Sequence, residues 1–271
     1  MTATAEVCPV CGGSGWKMAS NGNERRVSRC ECRQQKRSTS LLESAHIPKR
    51  YQSNELYTFI TEFNGVHDRP LVTARLAAGK FVEEYPVVDK GLLLVGGIGS
   101  GKTHLAVGIL KELMRSKSIP ALFCDYRELI RDIRESYDPS VNTTEMRVLQ
   151  PVFETELLLL DDLGASKGSA FEVDTVGYIL NRRYSDKRCT LITTYLADEA
   201  SPLSTAGERP VAYSKAGRSE QEAREVMRDK TLGERIGDQI RAKVHEMCKR
   251  VDLGGKDFRQ RVSQMDNAKA M

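Results

Sequence analysis

No run of about 18 apolar residues occurs in this chain, which excludes a membrane-spanning helix as its organising element. The opening MTATAEVCPV lacks the basic-then-apolar order of a secretory leader, so the expected location is cytoplasmic with no membrane partner. Histidine is scarce, and His46, His67, His104 and His245 are too scattered to argue a metal site or a constellation of nucleophile, histidine and acid. There is no internal repeat and no heptad series, which removes solenoids and coiled coils. A dominant charge is missing as well: 41 Lys and Arg against 37 Asp and Glu leave +4, too small an excess to name a partner. Nine basic and four acidic residues fall within positions 1–50, so the excess gathers there. At 271 residues and 40% hydrophobic, the chain can bury one main core plus a small satellite.

Residues 96–103 read GGIGSGKT, the phosphate-binding loop pattern, between an apolar run (Leu92, Leu93, Leu94, Val95) and an amphipathic one (Leu105, Ala106, Ile109, Leu110, Leu113). Glycines let the backbone close around a polyphosphate so that successive N–H groups and a helix N-terminus face the anion. Gly96, Gly97, Ile98, Gly99, Ser100, Gly101, Lys102, Thr103 and His104 are therefore the candidate nucleotide-binding residues. Lys102 would reach the β- and γ-phosphates, and the Thr103 hydroxyl would bind Mg²⁺.

Strand-like runs at 121–124, 157–160 and 190–194 alternate with helical stretches at 127–136 and 171–184, the signature of a parallel sheet. An earlier helix is expected over 69–85, with Leu71, Ala74, Leu76, Ala78 and Phe81 on its apolar side and Pro86 stopping it. Ligands of such sheets lie beyond the carboxyl ends of the strands. Asp161 and Asp162, directly after four leucines, are thus candidates to hold Mg²⁺ and to orient or deprotonate the attacking water, respectively; capping the turn with Gly164 is the competing role.

Cys8 and Cys11 form one pair and Cys30 and Cys32 another, about twenty residues on, a spacing that suits tetrahedral Zn²⁺. So short a segment could hardly fold on its own core, so metal binding would provide its folding free energy. Cys124, Cys189 and Cys248 stand singly and read as ordinary thiols. Tyr51 is either a linker anchor or a base-stacking aromatic.

Several separated segments together resemble the AAA+ helicase loaders of the DnaC and DnaI type, with the transposition helper IstB a close relative. They are Ile47-Pro48-Lys49-Arg50-Tyr51, GLLLVGGIGSGKTHLA at 91–106, LLLLDDLG at 157–164, LGERIGDQIRAKVHEM at 232–247, and Asp257-Phe258-Arg259. The resemblance implies an AAA+ P-loop ATPase of α/β class, with five parallel strands flanked by helices and a C-terminal helical lid. It further implies self-association in a ring or spiral, single-stranded DNA as a ligand and a ring-shaped hexameric replicative helicase as partner. Arg235 matches the family's trans-acting arginine, and Arg259 the one that senses the γ-phosphate. Two departures stand out. Thr193-Thr194-Tyr195 replaces a usual Thr-Thr-Asn, and Ala242-Lys243-Val244 replaces a Ser-Arg-Leu, with Arg241 nearby.

The expected organisation is a zinc-knuckle segment at 1–37, a linker at 38–68, an ATPase domain at 69–261 and a disordered tail at 262–271, with 196–230 an inserted loop. Arg127, Arg131, Arg134 and Arg147 are candidate DNA contacts, although Glu128, Asp132 and Glu135 can pair with the first three. The leading expectation is an ATPase that loads a replicative helicase, with ATP, Mg²⁺ and Zn²⁺ as cofactors. An IstB-like regulator of a transposase and a nucleotide-switched adapter with little turnover are the alternatives.

Overall fold

Apolar runs too short to be helices become one parallel sheet in the computed structural model, which describes residues 8–21, 24–166, 168–198, 231–254 and 256–260. A hairpin of β1 (Trp16–Asn21) and β2 (Glu24–Arg29) leads into α1 (Glu31–Ser44). A single turn of 3₁₀-helix (Lys49–Tyr51) and the short strands β3 (Glu62–Phe63) and β4 (Val66–His67) precede α2 (Arg69–Glu84). The alternating part runs β5 (Gly91–Val95), α3 (Lys102–Lys117), β6 (Ala121–Asp125), α4 (Tyr126–Glu135), α5 (Glu145–Glu154), β7 (Leu157–Asp161), α6 (Ala170–Ser185) and β8 (Cys189–Thr194). After residue 231 come α7 (Leu232–Ile236), α8 (Asp238–Met247) and β9 (Cys248–Asp252).

The main sheet has the order β6-β7-β8-β5-β9 with every pair parallel. Leu92 and Leu94 of β5 and Leu157 and Leu159 of β7 enter one core, packed by α2 and α3. Their neighbours Leu93, Val95, Leu158 and Leu160 enter a second core, packed by α4 to α8. Burial on both faces is why these strands read as unbroken apolar runs. The fifth strand, β9, carries Lys249 and Arg250 at its exposed middle and, among the described residues, pairs only with β5.

Helix α2 ends one residue before its expected limit and buries Leu71, Ala74, Ala78, Phe81 and Val82. Leu76 is a correction: it is 69% exposed, because five residues from Leu71 on a 3.6-residue period lands it away from the buried stripe. Helix α5 has no counterpart in the sequence reading; Thr144 caps it by accepting from the Arg147 N–H at 3.3 Å.

The stretch expected as a linker is built into the body around the main sheet. Helix α1 continues to Ser44, Ala45 is fully buried, and its carbonyl accepts from the Phe123 N–H at 2.8 Å on β6. Further on, the buried Lys111 ammonium of α3 donates to the carbonyls of Gln52 and Asn54 at 2.6 and 2.9 Å. Glu55 closes the cluster, ion-paired to Lys111 and gripped at both carboxylate oxygens by Arg115. A charge as buried as Lys111 requires this full set of partners.

The chain departs at residue 198 and returns at 231 beside its point of departure, since the Leu232 N–H donates to the Ala197 carbonyl at 2.9 Å. Most of the expected insertion, and the expected tail at 262–271, lie outside the described residues, as does any helical lid beyond 258–260.

At Gly91, a Cβ would lie 1.8 Å from the Thr190 carbonyl oxygen of β8. Gly91→Ala is therefore expected to destabilise the fold by about 1–3 kcal/mol, read as a lowered urea midpoint; an unchanged midpoint would show that β5 and β8 do not approach this closely.

Candidate nucleotide and metal sites

The glycine-rich loop links β5 to α3 and is closed by contacts that need its glycines. Gly99 has φ +75°, and a Cβ there would stand 2.1 Å from the Asp257 carboxylate; Gly101 has φ +94°, with Phe59 2.9 Å from its imagined Cβ. Two backbone bonds tie the loop to the segment after β9, from Gly97 N–H to the Gly254 carbonyl and from Phe258 N–H to the Gly99 carbonyl, both at 2.9 Å. Lys102, 6% exposed, points its ammonium back into the loop and donates to the carbonyls of Gly96 and Gly97 at 3.0 and 2.8 Å. Burial pushes the Lys102 pKa down, while Asp162 and Asp161 favour its charged form. The Ser100 hydroxyl is buried in the same loop with no partner among the described residues. His104 is partly diverted: its Nε2 lies 3.1 Å from both the Thr58 hydroxyl and the Glu55 carbonyl, so its ring faces the 55–58 segment.

Asp161 ends β7 at 2% exposure and accepts from two hydroxyls. Thr103 donates to it at 3.0 Å and Thr193 of β8 at 2.7 Å. Burial raises its pKa to about 6, against the lowering by these hydroxyls; Asp162 and Asp125 raise it further. Two hydrogen bonds thus do not offset the desolvation of this carboxylate, and an oxygen pair with Thr103 beside it is the donor set a hard divalent cation takes. Asp161 does not cap its turn. Asp162 has φ +54° and starts the tight turn that ends at Gly164, with its N–H bonded to the Thr193 hydroxyl at 2.9 Å. Thr193, named in the sequence only as part of the Thr193-Thr194-Tyr195 triplet, is thus a site residue whose hydroxyl joins the Asp161 carboxylate to the Asp162 N–H.

The residues around the loop's far side are less uniform. Tyr195 is half-buried against the second core, and the Thr194 hydroxyl is occupied, donating to the Leu163 carbonyl at 2.9 Å and accepting from the Leu196 N–H at 3.2 Å. Arg241 is bound to Asp198 at 2.5 Å, and Lys243 lies 4.8 Å over the Tyr184 ring. Arg235 donates from Nη1 to the Ser166 carbonyl at 2.8 Å, while its buried Nε has no partner among the described residues. Arg259 forks onto Asp257 at 3.2 and 3.1 Å, close enough to Lys102 for their charges to interact. Of the arginines considered for DNA, Arg131 pairs with Asp132 and Glu135, and Arg134 with the buried Glu172 at 2.9 Å; Arg127 and Arg147 are exposed. Beside the loop lies a cavity of about 470 Å³, lined by Phe63, His67, Arg69, Pro70, Leu253 and Gly254 among others.

The four N-terminal thiols converge. The sulfurs of Cys8, Cys11, Cys30 and Cys32 all lie within 4.8 Å of one another, and tetrahedral zinc bonds of about 2.3 Å demand sulfurs roughly 3.8 Å apart. The short C-x-C spacing works because α1 begins between its members: Cys30 is extended, and Cys32 is already helical. Gly15 donates its N–H to the Cys11 sulfur at 3.3 Å, the main cause that lowers this thiol's pKa to about 6. These residues fit zinc.

A phosphate loop before α3, an acidic pair after β7 and five parallel strands in this order define a P-loop nucleotide-binding protein of the AAA+ type. The family model for IstB-like ATP binding proteins matches residues 27–200, and the chain belongs to that family. It is 30% identical over 144 residues to the replicative helicase loader DnaC of Escherichia coli K12, covering 52% of this chain and 57% of that protein. It is 26% identical over 200 residues to the uncharacterized protein YqaM of Bacillus subtilis, covering 70% and 59%. The match therefore spans less than two thirds of either relative. A solved structure of the DnaC helicase loader superposes with TM-score 0.56 at 28% identity, over 76% of this chain and 99% of that one. A DnaI structure shares the fold at TM-score 0.53 and 23% identity, over 76% and 94%.

Purified chain is expected to carry one zinc ion, measured by elemental mass spectrometry, and Cys30→Ser to lose it together with the fold of the N-terminal hairpin. Metal-free native protein would contradict the assignment.

Proposed function

We propose that this chain is an ATP-switched loader of a ring-shaped replicative DNA helicase. The observation that carries the reading is the superposition on the DnaC helicase loader across 99% of that structure, with the phosphate loop, Thr103 and Asp161 assembled at the same sheet edge. In this reading the loop N–H groups, Ser100 and Lys102 receive the phosphates, and Thr103 with Asp161 holds Mg²⁺, which supplies charge neutralisation when bound. Lys102 exchanges its two carbonyl partners for phosphate oxygens. Asp162 orients the attacking water, and Arg259 leaves Asp257 to meet the γ-phosphate. The cavity between α2 and residue 254 receives the base, since its wall includes the residue that anchors Gly97.

Arg235 reaches the nucleotide of a neighbouring copy, so that ATP would cement the seam between subunits and its hydrolysis release the helicase. Arg241 and Lys243, already engaged with Asp198 and Tyr184, are the weaker candidates for that role. Single-stranded DNA is contacted through Arg127 and Arg147, since Arg131 and Arg134, exposed like them, are ion-paired to carboxylates. The cysteine hairpin docks on the helicase. A second reading, the adapter with little turnover, is favoured by Tyr195, whose ring packs on the second core where relatives present an amide.

Arg235→Ala is expected to lower DNA-stimulated turnover at least about 100-fold while leaving nucleotide binding intact, and Lys102→Ala to weaken binding itself without unfolding the chain. Mixing the two inactive variants should restore about a quarter of the wild-type rate, the random share of seams that join an intact cradle to an intact finger. No recovery would place Arg235 outside the neighbour's site. A pull-down with a hexameric helicase that is lost in Cys8→Ser tests the partner, and retention of a transposase instead would replace it.

A further inference from the structure

Asp257 stands against the bend of the phosphate loop, its carboxylate filling the space that a Cβ on Gly99 would need. The segment that carries it is fixed on both sides. The Gly254 carbonyl accepts from the Gly97 N–H and the Phe258 N–H donates to the Gly99 carbonyl, both at 2.9 Å, while the Phe258 ring meets Phe63 edge-on at 5.7 Å. A negative group is thereby held on a loop whose backbone is shaped to receive anions.

Part of this arrangement is a cap. Asp257 Oδ1 accepts from the Arg259 N–H at 2.9 Å, ahead of the helical turn at 258–260, and an asparagine would cap it equally well. The rest needs the charge. Arg259 donates from Nε to Oδ1 at 3.2 Å and from Nη2 to Oδ2 at 3.1 Å, a fork on both oxygens of the carboxylate. The hydrogen bond from Arg259 holds the Asp257 carboxyl below the usual carboxylate range, so it is ionised at neutral pH. The Arg259 side chain is 68% exposed and that of Asp257 only 21%, so the carboxylate is the anchored member of the pair and the guanidinium the one with room to move.

Arg259 is the group assigned above to the γ-phosphate. A triphosphate that engages it must displace an anion already in place, whereas a diphosphate has no γ-phosphate with which to compete. Where the binding-competent state is only part of the population, apparent affinity falls by that fraction. We propose that Asp257 is a specificity-determining residue, an internal anion that parks Arg259 against the loop until a γ-phosphate takes its place, so that a nucleoside triphosphate releases the arginine and a diphosphate does not. The proposal deepens the nucleotide-binding reading and rests on it.

Asp257→Asn isolates the charge, since the cap remains. In the full-length protein with Mg²⁺, titration calorimetry is expected to show affinity for a non-hydrolysable ATP analogue rising about three- to fivefold and affinity for ADP changing less than about twofold. In an Arg259→Ala background the same substitution should give no gain, closing a double-mutant cycle. A purely structural Asp257 predicts a loss, so a gain separates the two roles. An unchanged or lowered analogue affinity, an equal rise for both nucleotides, or a gain that survives without Arg259 would overturn the proposal. Wild-type protein that binds neither nucleotide would instead overturn the reading of the whole site, and that control tells the two failures apart.

Discussion

The Asp161 carboxylate, shared between the Thr103 and Thr193 hydroxyls, is the interaction on which the site depends. It joins the start of α3 to the ends of β7 and β8, adding α3 to two strand ends already tied by the Asp162 N–H on the Thr193 hydroxyl. Each bond from a hydroxyl to an ionised carboxylate is worth about 1.5–3 kcal/mol, whereas taking that carboxylate out of water costs several kcal/mol. The balance is left in deficit, which is what a pKa raised to about 6 expresses. A deficit of this sign at the mouth of a phosphate loop is one that a nearby positive charge relieves, and the carboxylate is already buried beside Thr103.

The fold was legible wherever chemistry is local. Glycines of the loop are required by positive φ and by close neighbours, and the leucine runs by burial on two faces; both leave plain marks in sequence. Strand β9 left none. Cys-Lys-Arg-Val-Asp sits at the sheet's edge, where half its side chains meet water, and no apolar run results. Helix α5 was hidden for the opposite reason, since Pro151 lies inside it and reads as a breaker. The segment 38–68 reads as a linker because its ties are carbonyls that accept from Lys111 and a carboxylate held by Arg115, partners on α3 some sixty positions away.

The site was legible in its identities and not in its orientations. Motif spacing marks Lys102, Thr103 and Asp161, but whether a side chain faces the phosphate, a neighbour or its own backbone depends on tertiary packing. His104 shows this: it follows the loop in sequence, yet its ring serves the 55–58 segment. The cysteines were the easier case. Four thiols must converge for any metal to be held, so spacing alone carries most of the information, and the structure adds that α1 runs unbroken from Cys32 to Ser44. That helix lays Gln34 and Arg37 against the end of α3, through bonds at 3.5 Å to the Arg115 and Ser118 carbonyls. The cysteine module is therefore mounted on the helix whose other end forms the phosphate loop.

A similar mounting governs Arg235. The turn after β7 is fixed by the buried Glu172 carboxylate, which accepts from the Ser166 hydroxyl at 2.8 Å and from the N–H groups of Gly168 and Ser169 at 2.9 and 3.1 Å. The same carboxylate holds Arg134 of α4. Arg235 then rests on this turn through the Ser166 carbonyl, and its backbone presses on Gly168, where a Cβ would come within 2.7 Å of the Arg235 carbonyl oxygen. One acidic side chain thereby joins α4 to Arg235, the arginine proposed for the contact between copies. The four donors arranged around Glu172 leave it little freedom, so any force that draws Arg134 outward acts on a turn with few alternative arrangements, and Arg235 is the next rigid group in line.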